Sequence, residues 1–257
     1  MKKVSKIIVA LLLAAVLCVG FAACGSKKEE SKDGKKVYKI ATDTTFAPFE
    51  FQDGDKMIGI DMDLLAAIAK NQGFEYEIDV VGFNAAVQSL EAKQCDGVIA
   101  GMSITEERQK KFDFSEPYFD SGVGMAVKSD NNDIKSYDDL KGKKVAVKTG
   151  TEGATFANSI KDQYGFEITT FEDSANMYED VKAGNTVACF EDYPVLGYAI
   201  TKGQPLKMIG EKEKGSSYGF AVAKGENAEL LKMFNDGLKA LKDNGEYQKI
   251  LDTYISK

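Results

Sequence analysis

The stretch "YKIATDTTFAPFEFQDGDKMIGIDMDLLAAIAKNQGFEYEIDVV", residues 38–81, changes character twice. Its ends, "YKIATD" (38–43) and "YEIDVV" (76–81), read as strands. Between them, in "DMDLLAAIAKNQG" (61–73), Leu64, Leu65, Ile68 and Ala69 recur at helical spacing before Gly73 supplies a stop. Strand, helix, strand predicts parallel strands covered by a helix. Asn84 is placed to cap "AAVQSLEAK", and "GVIAG" (97–101) adds a short apolar strand, so the first unit reads βαβαβ.

A second unit repeats that order from residue 143: "KKVAVKTG", a helix through "EGATFANSIKDQYG", "EITTFE", a helix through "SANMYEDVKAG", and "TVACFED" (186–192). Two alike strands, "GVGMAVKS" (122–129) and "YGFAVAKG" (218–225), lie between and after the units. The layout this predicts is an α/β fold of two lobes. The chain crosses into lobe 2 at the first of these strands and returns at the second. "ELLKMFNDGLKALKDNG" and "EYQKILDTYI" then add helices to lobe 1. The expected boundaries are 37–126 plus 220–257 for lobe 1 and 127–219 for lobe 2, about 220 residues being enough for two compact bodies. Two crossings make a hinged clamp.

Ahead of the fold, Lys2, Lys3 and Lys6 precede an apolar run from Ile7 to Leu17, followed by small residues, the pattern of an export signal over 1–23. The run is too short to need a permanent spanning helix. "FAAC" (21–24) looks like a bacterial lipobox, which marks Cys24 for lipidation, with Phe21 where leucine is usual. Several acyl chains on one residue hold a protein on a membrane, whereas one is marginal. Residues 24–36 then read as a solvated tether.

Without residues 1–23 the chain carries 30 basic against 40 acidic residues, a balance that favours solubility and disfavours nucleic acid as a partner. Histidine is absent, and Cys95 and Cys189 stand apart without partners at metal-ligand spacing, so two separate buried cysteines and no metal or other cofactor are expected.

Ligands of open α/β sheets sit beyond the carboxyl ends of the strands, which in a clamp would converge on the cleft. The segments concerned begin at Asp43, Gly82, Gly101, Lys148 and Phe190. Arg108 is the chain's single arginine, and a planar fork suits a carboxylate where a lysine does not. A pairing with Glu106 or Glu107 on a helix surface is the plainer reading. Ser103 and Glu106 have capping-box spacing just before Arg108, so backbone N–H groups and the guanidinium can face one anion. Thr151 offers a hydroxyl at another helix start, with Gly153 permitting close backbone approach. Asp43 and Asp192 end strands where an ammonium could be received, although Asp192 also suits an N-cap before Pro194 and Asp43 an Asx turn. Glu191 and Lys148 are candidate side-chain readers, and Phe46 and Phe83 are either pocket walls or core. Carboxylate donors, ammonium acceptors and apolar walls describe a free amino acid better than a sugar, for which Trp faces would be expected and none exist.

Taken in order, "ATDTTFAPFEF", "GIDMDLLAAIAK", "AGMSITEERQKKFDFSEPY", "KSYDDLKGKKVAVKTGT", "EDYPVLGYA" and "YGFAVAKG" resemble the polar-amino-acid-binding proteins of bacterial ABC importers, glutamine-binding members above all, over roughly residues 37–256. The resemblance implies a periplasmic-binding-protein-like clamp, monomeric as a ligand-binding unit, that closes on a free polar amino acid and delivers it to a membrane permease driven by a cytoplasmic ATPase. It implies that Arg108 grips the α-carboxylate with Ser103, Gly101 and the Thr151 region. Asp192 takes the α-ammonium with the Ala100 carbonyl, Phe46 and Phe83 wall the pocket, and Asp43 and Lys148 engage a side-chain amide. Glu191 stands where relatives carry other polar residues. L-Glutamine is the expected ligand. Glutamate, asparagine, histidine, arginine and cystine are the other amino acids considered. An amino-acid sensor lipoprotein is disfavoured because no signalling segment follows residue 257. A dehydratase-like enzyme on the same fold lacks a nucleophile–base pair, so no enzymatic activity is expected.

Overall fold

In a computed structural model, residues 36–255 are described. The expected signal segment, Cys24 and all but the last residue of the tether lie outside them. Val37–Lys257 forms one compact unit.

The first part of the chain gives β1 (Val37–Thr42), a small antiparallel sheet of β2 (Thr45–Phe46), β3 (Glu50–Asp53) and β4 (Lys56–Ile58), then α1 (Ile60–Gln72), β5 (Glu75–Val80), α2 (Phe83–Glu91), β6 (Gly97–Val98), the single turn α3 (Glu106–Gln109) and β7 (Phe112–Phe114). A long β8 (Phe119–Lys128) crosses over. The second part contains β9 (Lys144–Lys148), α4 (Glu152–Tyr164), β10 (Glu167–Phe171), α5 (Ser174–Ala183), β11 (Ala188–Asp192) and α6 (Tyr193–Thr201). β12 (Leu206–Tyr218) leads back to β13 (Ala221–Ala223), α7 (Ala228–Asn244) and α8 (Glu246–Tyr254).

Two five-stranded sheets result, ordered β5-β1-β6-β13-β7 and β10-β9-β11-β8-β12. In each, three parallel strands from one βαβαβ unit are followed by an antiparallel strand: β13 beside β6, and β8 beside β11. The two alike strands of the sequence thus occupy equivalent places in different sheets. Each arrives from the far side of the other lobe's unit, so the lobes are interlocked by exchange. β8 and β12 pair antiparallel from Phe119–Tyr218 to Lys128–Leu206. β8 and β12, paired with each other, are the two connections that run between the lobes.

Both faces of each sheet are covered, which is why the strands read as nearly continuous apolar runs. In lobe 1, Leu64, Leu65 and Ile68 of α1 meet Phe234, Leu238 and Leu241 of α7 on one face, while Phe83, Ala86 and Leu90 of α2 pack with Val98 and Ala221 on the other. Lobe 2 repeats this with Phe156 of α4 against Val145, Val147 and Phe190, and Met177 and Val181 of α5 against Ala146 and Cys189. Cys95 and Cys189 are buried and free. Helix α2 begins two residues earlier than its sequence suggests. Gly82 is its N-cap, and Asn84, expected to cap, lies inside the first turn and accepts from Gln88 at 3.3 Å.

Candidate functional site

Beyond β6 the chain turns through Gly101 at φ 51°, where a Cβ would lie 2.3 Å from the Phe46 ring, so only glycine lets that ring close against the loop. The turn delivers Ser103, whose backbone bridges Tyr218 of β12. This commitment moves the helix cap. Thr105, not Ser103, is the N-cap of α3, accepting from the Arg108 N–H at 3.2 Å, and no Ser103–Glu106 box forms. The Arg108 guanidinium folds back over α3, donating from Nη1 to the Ser103 carbonyl at 2.9 Å and from Nη2 to the Gly150 carbonyl of lobe 2 at 3.0 Å. It also lies 5.3 Å above the Phe83 ring and 3.8 Å from Glu152 Oε1. Neither Glu106 nor Glu107 pairs with it. Burial lowers its pKa, with Glu152 and Asp192 opposing.

From the other lobe, Thr151 caps α4, accepting from Ala154 N–H at 3.2 Å and donating its own hydroxyl to the Lys148 carbonyl at 2.8 Å. A Cβ on Gly153 would stand 2.7 Å from the Phe190 carbonyl oxygen, which explains how α4 starts this close to β11.

Asp192, at the end of β11, occupies the N-cap position of α6, yet its side chain makes no capping hydrogen bond. Its Oδ2 accepts instead from the Tyr218 hydroxyl at 2.5 Å and from Ser121 Oγ at 3.4 Å, one residue from each crossing strand. Burial, then the neighbouring Glu191, raise its pKa to about 7 against the hydrogen bond from Tyr218 and the charge of Arg108. A buried carboxylate of this kind is stabilised by an ammonium placed against it. Ala100 is buried beside Gly101.

Lys148 of β9 pairs across the lobes with Asp43, both fully buried. Asp43 Oδ1 accepts from the Phe83 N–H at the start of α2 at 3.1 Å and from Thr44 N–H at 2.6 Å. The ammonium also sits 4.8 Å above the Phe46 ring and 3.5 Å from Ser174 Oγ. Burial works to lower the Lys148 pKa, but Asp43 and Glu191 outweigh it and the group stays charged. Glu191 takes the Ser174 hydroxyl at 2.7 Å and the Asp192 N–H at 3.1 Å, its pKa raised by burial despite Lys148.

A narrow pocket is lined by Phe46, Phe83, Gly101, Ser103, Arg108, Lys148, Thr151, Glu152 and Asp192. Eight of these nine are residues expected from sequence. Asp43, Ala100 and Glu191 stand just behind the lining. Glu152, Ser174, Ser121 and Tyr218 were missed. Glu152 adjoins Thr151 in "TGTEGA" and could have been found from that neighbour. Ser121 and Tyr218 sit on strands whose sequence signals topology alone.

A two-lobed clamp around a pocket that combines a guanidinium, a buried carboxylate and a mixed ion pair defines a binding protein for small zwitterions. The chain belongs to the bacterial extracellular solute-binding proteins, family 3, whose model matches residues 38–257. The chain is 34% identical to the arginine-binding extracellular protein ArtP of Bacillus subtilis over 93% of its own length and 95% of that protein's. Among solved structures, an ancestral arginine-binding protein, determined with glutamine and with arginine, shares 38% identity over 86% of this chain and 98% of the other at TM-score 0.79. The second substrate-binding domain of Lactococcus lactis GlnP in its open conformation shares 45% identity over 90% of this chain and 98% of that one, yet superposes at only 0.58. Lower overlap at higher identity is what a change of lobe arrangement produces.

Proposed function

We propose that this chain is the extracytoplasmic binding component of an ABC importer for polar amino acids and that L-glutamine is its solute. The observation that carries the choice is the buried Lys148–Asp43 pair, whose lysine lines the pocket together with Arg108 and Asp192. A carboxamide offers an acceptor oxygen and a donor nitrogen side by side, which an ammonium beside a carboxylate answers. An arginine guanidinium would bring a second cation against Lys148 in a closed cleft, where unpaired charge costs several kcal/mol. Arg108 holds the α-carboxylate in this reading, Asp192 and the Ala100 carbonyl hold the α-ammonium, and Phe46 and Phe83 enclose the aliphatic stem. Gly101, Ser103 and Thr151 shape the carboxylate end, and Glu191 tunes Lys148.

A second reading is favoured by the same group of charges, because Asp43 and Glu191 together outnumber Lys148. With Glu191 ionised that group suits a cationic solute, the class named for ArtP. Titration calorimetry of the full chain against glutamine, arginine, glutamate, histidine and cystine decides. Glutamine tighter than arginine by at least about tenfold supports the first reading, and the reverse order replaces it. Lipid attachment at Cys24 and delivery to a permease with a cytoplasmic ATPase complete the proposal. Incorporation of a labelled palmitate that survives in Cys24→Ala would refute the anchor.

A further inference from the structure

Behind the pocket lie two acidic side chains that no part of the binding scheme uses. Glu50, on β3, and Asp61, in the first turn of α1, are both wholly buried. Among the described residues no N–H or hydroxyl reaches either Glu50 oxygen or Asp61 Oδ1. A carboxylate in that condition is among the costliest groups a protein can bury. The two carboxyls lie within hydrogen-bonding reach of each other, and two such groups join only through a proton held by one of them.

What the pair touches gives it a role. Asp61 Oδ2 accepts from the Gly101 N–H at 2.8 Å and from the Tyr118 hydroxyl at 2.8 Å. Gly101 is the turn against which Phe46 closes, and Tyr118 immediately precedes the crossing strand β8. Glu50 is the cross-strand partner of Phe46 in the β2–β3 register. One side chain therefore fixes the loop that carries the pocket's carboxylate end, and the other fixes the strand that carries its aromatic wall. The remaining charged groups that act on Glu50 are Asp43 and Lys148.

We propose that Glu50 and Asp61 share a single proton, Glu50 donating to Asp61, and that this neutral-acid–carboxylate pair is the positioning element that holds Gly101 and Phe46 in register for an amino-acid ligand. The proposal rests on the chain being an amino-acid-binding protein, and not on which amino acid it takes. The arrangement also explains an acid within the apolar "FEF" of residues 49–51, where a core residue would otherwise stand.

The test has a spectroscopic arm and a binding arm, both on the full chain. At pH 8, infrared spectra of wild type and Glu50→Gln should differ by one protonated-carboxyl C=O band present only in wild type. Absence of that band overturns the shared proton. Glu50→Gln keeps a neutral donor of the same shape, so its affinity for L-glutamine and L-arginine should stay within about threefold of wild type, while Glu50→Ala should lose at least tenfold for whichever amino acid binds. Equal affinities in all three, or a tenfold loss in Glu50→Gln with its near-ultraviolet circular dichroism unchanged, overturns the positioning role. If Glu50→Ala does not fold, the Glu50→Gln comparison alone decides. A band in wild type together with no binding of either amino acid would refute the functional reading and leave the proton sharing standing.

Discussion

Arg108 commits two of its N–H groups to backbone carbonyls of opposite lobes and leaves three for a ligand carboxylate. A lysine can keep the charge but cannot make the lobe-spanning fork. Arg108→Lys should therefore weaken amino-acid binding by about 10–100-fold, the range of one or two charge-assisted hydrogen bonds, as read by calorimetry. Unchanged affinity would remove Arg108 from the site. Asp192 carries a pH prediction. With protein groups around it its pKa is about 7, whereas an ammonium requires the carboxylate form. Affinity should be full above pH 7 and fall by up to about tenfold per unit below it, a slope that Asp192→Asn should abolish. The stability sign is opposite. Asp192 at about 7 and Asp61 at about 6 both lie above the ordinary aspartate value, so the folded chain holds more protons than the unfolded chain in this window. Stability should decline as pH rises through 6 to 7, measured by thermal melts without added amino acid. Residue chemistry was legible where one side chain has one plausible use, as with the single arginine. It was not legible for Asp61 and Glu50, whose meaning comes from each other across the β3–β4 hairpin that separates them in sequence.

At the level of elements, periodicity located α1, α4 and α5 because each buries one stripe on a sheet, and it located the parallel strands because both their faces are covered. It missed the β2–β3–β4 sheet, whose strands run two to four residues and alternate too briefly to register. It also misplaced two caps. Ser103 and Asn84 had suitable side chains, but the first is held in a bridge to Tyr218 and the second falls after a start fixed by Gly82. Thr105→Ala tests the revised cap: loss of one N-cap hydrogen bond costs about 1 kcal/mol, and since α3 carries Arg108, binding should weaken more than the melting temperature falls. The crossing strands make the more consequential case. Tyr218 of β12 and Ser121 of β8 hydrogen-bond each other at 2.9 Å, and both meet Asp192, so the proposed ammonium acceptor is tied directly to the crossing strands. Tyr218→Phe keeps the ring packed against Phe49 and Phe119 and removes only the hydroxyl. Affinity should drop by about 5–15-fold with little loss of stability. A large melting shift with normal affinity would make Tyr218 a packing residue instead.

For the whole molecule, the lobes meet through polar contacts, Arg108 to Gly150 and Glu152, Lys148 to Asp43 and the Ser174 N–H to Thr45 Oγ1 at 3.3 Å, and through rings, Lys148 over Phe46 and Phe51 against Tyr198. The only covalent continuity is the pair of crossings, so lobe opening leaves each core intact, and the free energies of closure and of folding are separable. Lys148 makes this testable. Removing one partner of a buried ion pair typically costs about 3–5 kcal/mol because the other is left charged without compensation. In Lys148→Met that cost would fall on Asp43, but only while the clamp is shut, because Asp43 regains water when the lobes separate. The variant should therefore open and not unfold. Small-angle scattering without added amino acid should show a larger radius of gyration than wild type, while the unfolding free energy falls by well under 3 kcal/mol. A compact variant with the full stability loss would show that Asp43 stays buried without its partner and that the lobes do not move independently. Reopening should respond to Asp43→Asn in the same background, since the amide needs no counter-charge. Closure recovered in that double variant, with glutamine affinity still lost, would separate the pair's part in holding the lobes from its part in reading the solute.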